Sequence, residues 1–133
     1  MRWLAGMTMT ADRLNDNTLD DSTTTGLAAA AGFSVSSFSG RKLHGITTIQ
    51  LVCTYTGTTV AITPGANLAD VLMCTLPSGW RPPEVINAVF GDGSIDGECT
   101  IGTSGQISLR SILDDLTNNR NIRVTAMWIS ENN

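Results

Sequence analysis

Charge is what this chain has least of. Only 15% of its 133 residues are Asp, Glu, Lys or Arg, against roughly 25% in an ordinary soluble domain. The formal net charge is −4, and no basic cluster exceeds Arg41-Lys42. Nucleic-acid binding draws on a basic footprint, so that class of partner is excluded. No apolar run approaches the about 20 residues that a membrane helix needs. Leu27–Ala31 is too short for a signal-peptide core and lacks a basic flank. The expectation is therefore no membrane insertion.

Metal-binding and catalytic residue types are equally sparse. His44 is the only histidine, and zinc would need thiolate or carboxylate partners at spacings that do not occur. It reads as a surface residue beside a turn. Cys53, Cys74 and Cys99 are isolated and odd in number, so buried free thiols made in a reducing cytosol explain them better than disulfides. No Gly-x-Ser-x-Gly elbow is present, and no glycine-rich stretch leads into Lys-Ser or Lys-Thr, which removes the nucleophile-elbow and phosphate-loop classes. Asp92, Asp96 and Glu98 lie close together, as do Asp114 and Asp115. A glycosidase holds two carboxyls about 5–9 Å apart across a sugar-sized cleft, whereas carboxylates around Gly91-Asp92-Gly93 are what a solvated turn contains. The same cluster does not follow the ligand pattern of a calcium loop. The chain is read as a non-enzyme without a cofactor.

What is abundant is the β pattern. In Ile46–Tyr55, Ile49, Leu51, Cys53 and Tyr55 share one face, with Thr48, Gln50 and Thr54 on the other. Ile122, Val124, Ala126 and Trp128 line one face of a final strand in the same way. Phe33–Phe38 carries apolar residues at both parities, followed by an expected turn at Gly40-Arg41-Lys42. Val71–Leu76 is apolar on both sides, as a doubly covered strand would be. A short strand is expected over Thr59–Thr63. Gly91-Asp92-Gly93 and Thr103-Ser104-Gly105 read as hairpin turns, and Gly97 as a bulge. Turn signals every 8–12 residues or so indicate an antiparallel all-β sandwich or barrel, jelly-roll-like.

Three segments follow. Residues 1–20 form a short helical or extended anchor: Thr10 can cap a single turn over Ala11–Asn15, which cannot stand alone in water. Trp3, Leu4 and Leu14 are its attachment residues. Residues 21–32 form a polar linker or arm, and residues 33–133 the β head. The Asn118-Asn119-Arg120-Asn121 stretch reads as an exposed tip; with Arg81 these are the candidate surface contacts.

The stretch Thr75–Pro83 organises the head. Pro77, Pro82 and Pro83 cannot sit in a central strand, and Ser78-Gly79 makes a turn with Gly79 free to take a positive φ. Pro77, Gly79, Trp80 and Pro82 thus build a stiff corner that places the indole, with Trp128 as its counterpart on the last strand. Both tryptophans are expected to pack rather than to offer a sugar-stacking face.

The run Leu-Pro-Ser-Gly-Trp-Arg-Pro-Pro resembles a signature, LP-x-G-(aromatic)-RP, of small β-domains in phage tail fibres, baseplate receptor-binding proteins and head fibres. The order of later features also matches: a strand at Val85–Phe90, a glycine-punctuated hairpin over Gly91–Leu109, and a last strand ending in Trp128-Ile129. The likeness spans Phe33 to Asn133. Trp3-x-Ala5-Gly6-x-x-x-Thr10-Ala11-x-x-Leu14-Asn15 is similar to the N-termini of small tail proteins from phages of actinobacteria. The resemblance implies a virion protein made in the bacterial cytoplasm, of minor-tail or tail-fibre type. It would attach to other virion proteins through residues 1–26 and display its head for host-surface contact, with a surface glycan as a possible ligand. The scarcity of charge fits burial against sister copies in a homotrimer. A capsid decoration or head-fibre protein is the first alternative, and a free carbohydrate-binding module the second.

Overall fold

The computed structural model describes residues 20–62 and 67–130. Trp3, Leu4, Leu14 and the expected turn over 11–15 lie outside them. Among the described residues every element is a strand: β1 (Asp20–Thr23), β2 (Ala28–Ala29), β3 (Phe33–Leu43), β4 (Ile46–Tyr55), β5 (Asn67–Thr75), β6 (Ile86–Gly91), β7 (Asp96–Ile101), β8 (Gln106–Ile112) and β9 (Asn121–Ile129). They form one antiparallel sheet in the order β1-β3-β4-β9-β6-β7-β8-β5-β2, curled into a half-barrel. The all-β antiparallel expectation is met.

The inner face is where the alternating apolar positions meet. Ile49, Leu51, Cys53 and Tyr55 on β4 and Ile122, Val124, Ala126 and Trp128 on β9 are all buried, with Ile49, Leu51 and Cys53 directly opposite Ala126, Val124 and Ile122 and Trp128 opposite the buried Thr47. Facing them are Met73, Cys74 and Leu76 at the end of β5, Phe90 on β6, Cys99 and Ile101 on β7, and Ile107, Leu109 and Ile112 on β8. Each buried aliphatic or aromatic side chain contributes about 1.5–3 kcal/mol of transfer free energy, so this shared interior is what holds the curl.

Two irregularities explain sequence patterns that looked two-faced. Phe33 and Phe38 differ in parity yet are both buried, because the register slips between Val35 and Ser37 against β4. The bulge adds a residue and returns Phe38 to the face Phe33 occupies. On β5 a slip between Leu72 and Cys74 leaves neighbours Met73 and Cys74 both fully buried; the run is irregular rather than covered on two sides.

The turn expected at Gly40-Arg41-Lys42 is not there. Those residues continue β3, and the hairpin closes at His44-Gly45, between the paired Leu43 and Ile46. Both turn residues have positive φ, 50° and 80°, the type I′ pattern whose twist suits a tight hairpin. His44 is exposed. The segment expected as a linker or arm, 21–32, supplies strand residues at both margins of the sheet, with β1 on β3 and β2 on β5. Within the expected strand 59–63, Val60 makes a single bridge to Leu116.

Candidate functional site

The corner between β5 and β6 draws four parts of the chain together. Pro77 accepts a hydrogen bond from the Trp80 N–H (3.1 Å), closing a turn in which Gly79 takes φ +85°, as a type II turn requires. The Leu76 N–H donates to the Gly105 carbonyl (2.8 Å), and Arg81 Nε donates back to the Leu76 carbonyl (3.1 Å). Leu76 is therefore held on both sides, its N–H to the β7–β8 turn and its carbonyl to the corner's own arginine. Pro82 is buried.

Trp80, only 7% exposed, lies against Gly40 of β3. A Cβ at Gly40 would sit 2.7 Å from Cε3 and 2.9 Å from Cζ3 of the indole, inside van der Waals contact. This is why a glycine stands in mid-strand: it is a slot, not a turn. Lys42, two residues on, places Nζ 4.6 Å from the ring centroid, a cation–π contact. On the arm side, a Cβ at Gly26 would come within 3.0 Å of Pro77. Trp128, also 7% exposed, packs in the main interior. Neither indole presents the open face that stacks on a sugar ring.

The opposite end of the half-barrel is ionic. Asp92 Oδ1 accepts from the Ile95 N–H (2.8 Å), the Ser94 N–H (2.8 Å) and the Ser94 hydroxyl (3.1 Å). Its other oxygen bonds Arg120 Nη1, both side chains being nearly buried at 12% and 11% exposure. Arg120 Nη2 reaches Asp114 at 3.3 Å. The Ile95 N–H first, then Ser94 and the Arg120 charge, hold the Asp92 carboxyl at about 2 against the opposing effect of burial.

This corrects the expected contact surface. Arg120 is not an exposed tip residue: its guanidinium is turned inward to the β6–β7 turn. Asn118 and Asn119 are exposed; Asn118 Nδ2 donates to the Gly57 carbonyl (3.3 Å), and Asn119 takes φ 65°. Asn121 is exposed at the start of β9, where its Oδ1 accepts from the Thr54 hydroxyl (2.7 Å). Arg81 is exposed, although its Nε serves the corner. The structure thus separates Arg81, at the corner end, from the asparagines at the ionic end. Asp96 and Glu98 are exposed on β7, and Asp92, already engaged by a cation and a turn, is not a free partner for them.

The three cysteines are free and buried, as expected. The Cys74 thiol is pushed up by its hydrogen bond with Cys53 and by burial, and Cys99 is pushed up to about 12 by burial and the nearby Glu98 charge. Such thiols pack as small apolar groups and are poor nucleophiles.

What sequence reasoning missed is the Gly40 slot and the Asp92–Arg120 pair. The one available signal for the slot was a glycine inside an otherwise regular alternation; nothing local announces which distant cation an aspartate will meet. No protein-family model matches the chain, and comparison with curated proteins finds no match.

Proposed function

We propose that the chain is a structural protein of a tailed phage or a phage-derived tail-like particle, of minor-tail or tail-fibre type. Residues 1–26 attach it to other virion proteins, three copies associate, and the β head is displayed toward the host surface. The observation that carries this is the corner. The run by which the chain resembles phage β-domains is the run that clamps the head: Pro77 and Gly79 make the turn, Trp80 fills the Gly40 slot, and Arg81 returns to Leu76. A binding function of this kind needs no deep pocket, because weak equivalent sites gain avidity when presented together.

The test is location and competition. Purified particles labelled with antibody to the chain are expected to carry label at the tail, and the isolated chain is expected to slow particle adsorption to host cells. Label spread over the capsid would replace the tail assignment with the decoration reading. Particles lacking the chain altogether would remove both.

A further inference from the structure

One seam inside the sheet is incomplete. β9 pairs with β4 along its whole length, from Asn121 to Ile129, and β6 pairs with β7 along its own, from Ile86 to Gly91. Between β6 and β9 only Phe90–Val124 and Gly91–Arg123 are in register. Past them the two strands part toward the His44-Gly45 end, and among the described residues no strand pairs with that side of β9 from Thr125 to Ile129. The parting holds a groove of about 490 Å³ lined by Pro83, Glu84, Ile86, Trp128 and Ile129. Trp128 carries a buried indole N–H with no acceptor among the described residues. An open strand edge and a buried donor in one place cost free energy that an occupant with main-chain groups of its own offsets.

The chain itself supplies such a segment. β1 begins at Asp20, opposite Leu43; Leu43 stands opposite Ile46, and Ile46 opposite Ile129. Residues 1–19 therefore join the fold at the level of the groove's mouth. From β1 across β3 and β4 to the far side of β9 is four strand spacings, about 19 Å. The eight residues between Ala11 and Asp20 can span up to about 30 Å. The row they cross is apolar and open, with Leu43, Ile46 and Ile129 exposed by 42%, 44% and 74%, and the crossing stretch carries Leu14 and Leu19. Ahead of it, Met7-Thr8-Met9-Thr10 alternates apolar and polar residues with the period of a strand.

We infer that Met7–Thr10 adds to the open edge of β9 in its own chain as an extended segment, through main-chain hydrogen bonds. Met7 and Met9 turn inward to Ile86 and Trp128; Thr8 and Thr10 turn outward beside Met127. Covering the edge also removes a template for chance pairing between chains. The inference does not draw on the virion reading, and it leaves Trp3 and Leu4 beyond the added segment as attachment residues.

Cysteine pairs in the full chain test this, because the three native thiols are buried. Met127 and Leu113 are both exposed, and Leu113 sits at the far end of the sheet, bonded to the Asp96 carbonyl. Under mild oxidation, Thr8→Cys or Thr10→Cys combined with Met127→Cys is expected to form an intrachain disulfide about tenfold or more faster than Met9→Cys with Met127→Cys, or than Thr10→Cys with Leu113→Cys. Equal rates at both parities, or to Leu113→Cys, overturn the added strand. A disulfide between chains overturns the same-chain assignment and gives the groove to a neighbouring copy. Hydrogen exchange on the unaltered chain is the second reading. The Thr125–Ile129 amides turned away from β4 are expected to exchange about a hundredfold or more slower than in an unstructured peptide. Exchange at the peptide rate overturns the inference whatever the variants do. Either failure leaves the virion proposal standing.

Discussion

The two ends of the half-barrel are closed by different physics. At the corner end an indole fills the volume that Gly40 leaves; at the other, Arg120 is nearly buried against Asp92 and reaches the exposed Asp114 with its second nitrogen. Both devices tie a loop to a distant strand or turn. The first depends on shape and is indifferent to protons. The second depends on charge, and because Arg120 and Asp92 are nearly desolvated while Asp114 stays exposed, losing either of the first two strands the other. A chain with few charges has withdrawn one cation and one carboxylate, Arg120 and Asp92, from its surface into a single loop anchor.

The largest effect is expected at the shape-based end. Trp80→Ala should cost about 3–5 kcal/mol of stability in urea denaturation, and Gly40→Ala about 1–3 kcal/mol, since the indole has to move. The informative measurement is the double variant. Once the indole is gone, Gly40→Ala should cost no more than about 0.5 kcal/mol. Equal penalties in both backgrounds would mean that Gly40 matters for some reason other than Trp80.

Next comes the ionic end. Arg120→Met should cost about 3 kcal/mol, because it leaves the Asp92 carboxylate nearly buried without its cation. A loss under about 0.5 kcal/mol would place this pair with ordinary surface salt bridges and erase the contrast between the two ends.

Acid sharpens the comparison further. The Asp92 carboxyl is lowered from 3.8 to about 2 in the folded chain, so the unfolded chain binds its proton first as pH falls. The contribution is complete above the unfolded value and disappears as pH falls from about 4 to about 2, a change of about 2 kcal/mol. Asp92→Asn removes the titrating group while keeping a turn acceptor. The stability gap between native and Asp92→Asn chains should therefore narrow across that window. A gap that stays constant from pH 6 or so down to about 2 would show that the carboxylate charge is not what anchors the loop. Trp80→Ala should leave this acid response unaltered.

The smallest effect belongs to Lys42. Its ammonium lies over the Trp80 ring but is partly solvated, so Lys42→Met should cost less than about 1 kcal/mol. A larger loss would make the corner end partly electrostatic.

Much of the sheet was legible because alternation is local. The buried faces of β4 and β9 could be read from Ile49 to Tyr55 and from Ile122 to Trp128 without knowing their neighbours. The Pro77–Trp80 turn was legible for the same reason, since φ restrictions act on single residues. Gly40 was misread because a glycine signals permission, and the use made of it depends on a residue forty positions away. Arg120 was misread because a polar run looks solvated until a partner is brought to it. The parity break in Phe33–Phe38 was visible, but two-sided burial and a bulge produce the same string. Residues 21–32 looked like a linker since a margin strand borrows its order from the strand it joins.

By itself, the order of residues determined that this chain is built of antiparallel strands, which side of the best-patterned strands turns inward, and that a stiff corner carries Trp80. Those are short-range consequences of side-chain period and backbone restriction. Only the folded arrangement decided that a mid-strand glycine receives the indole, that a loop arginine turns inward to an aspartate, and that Leu43, Ile46 and Ile129 align into one exposed row. Each is a meeting of residues far apart in the chain, and such meetings are settled by register and packing.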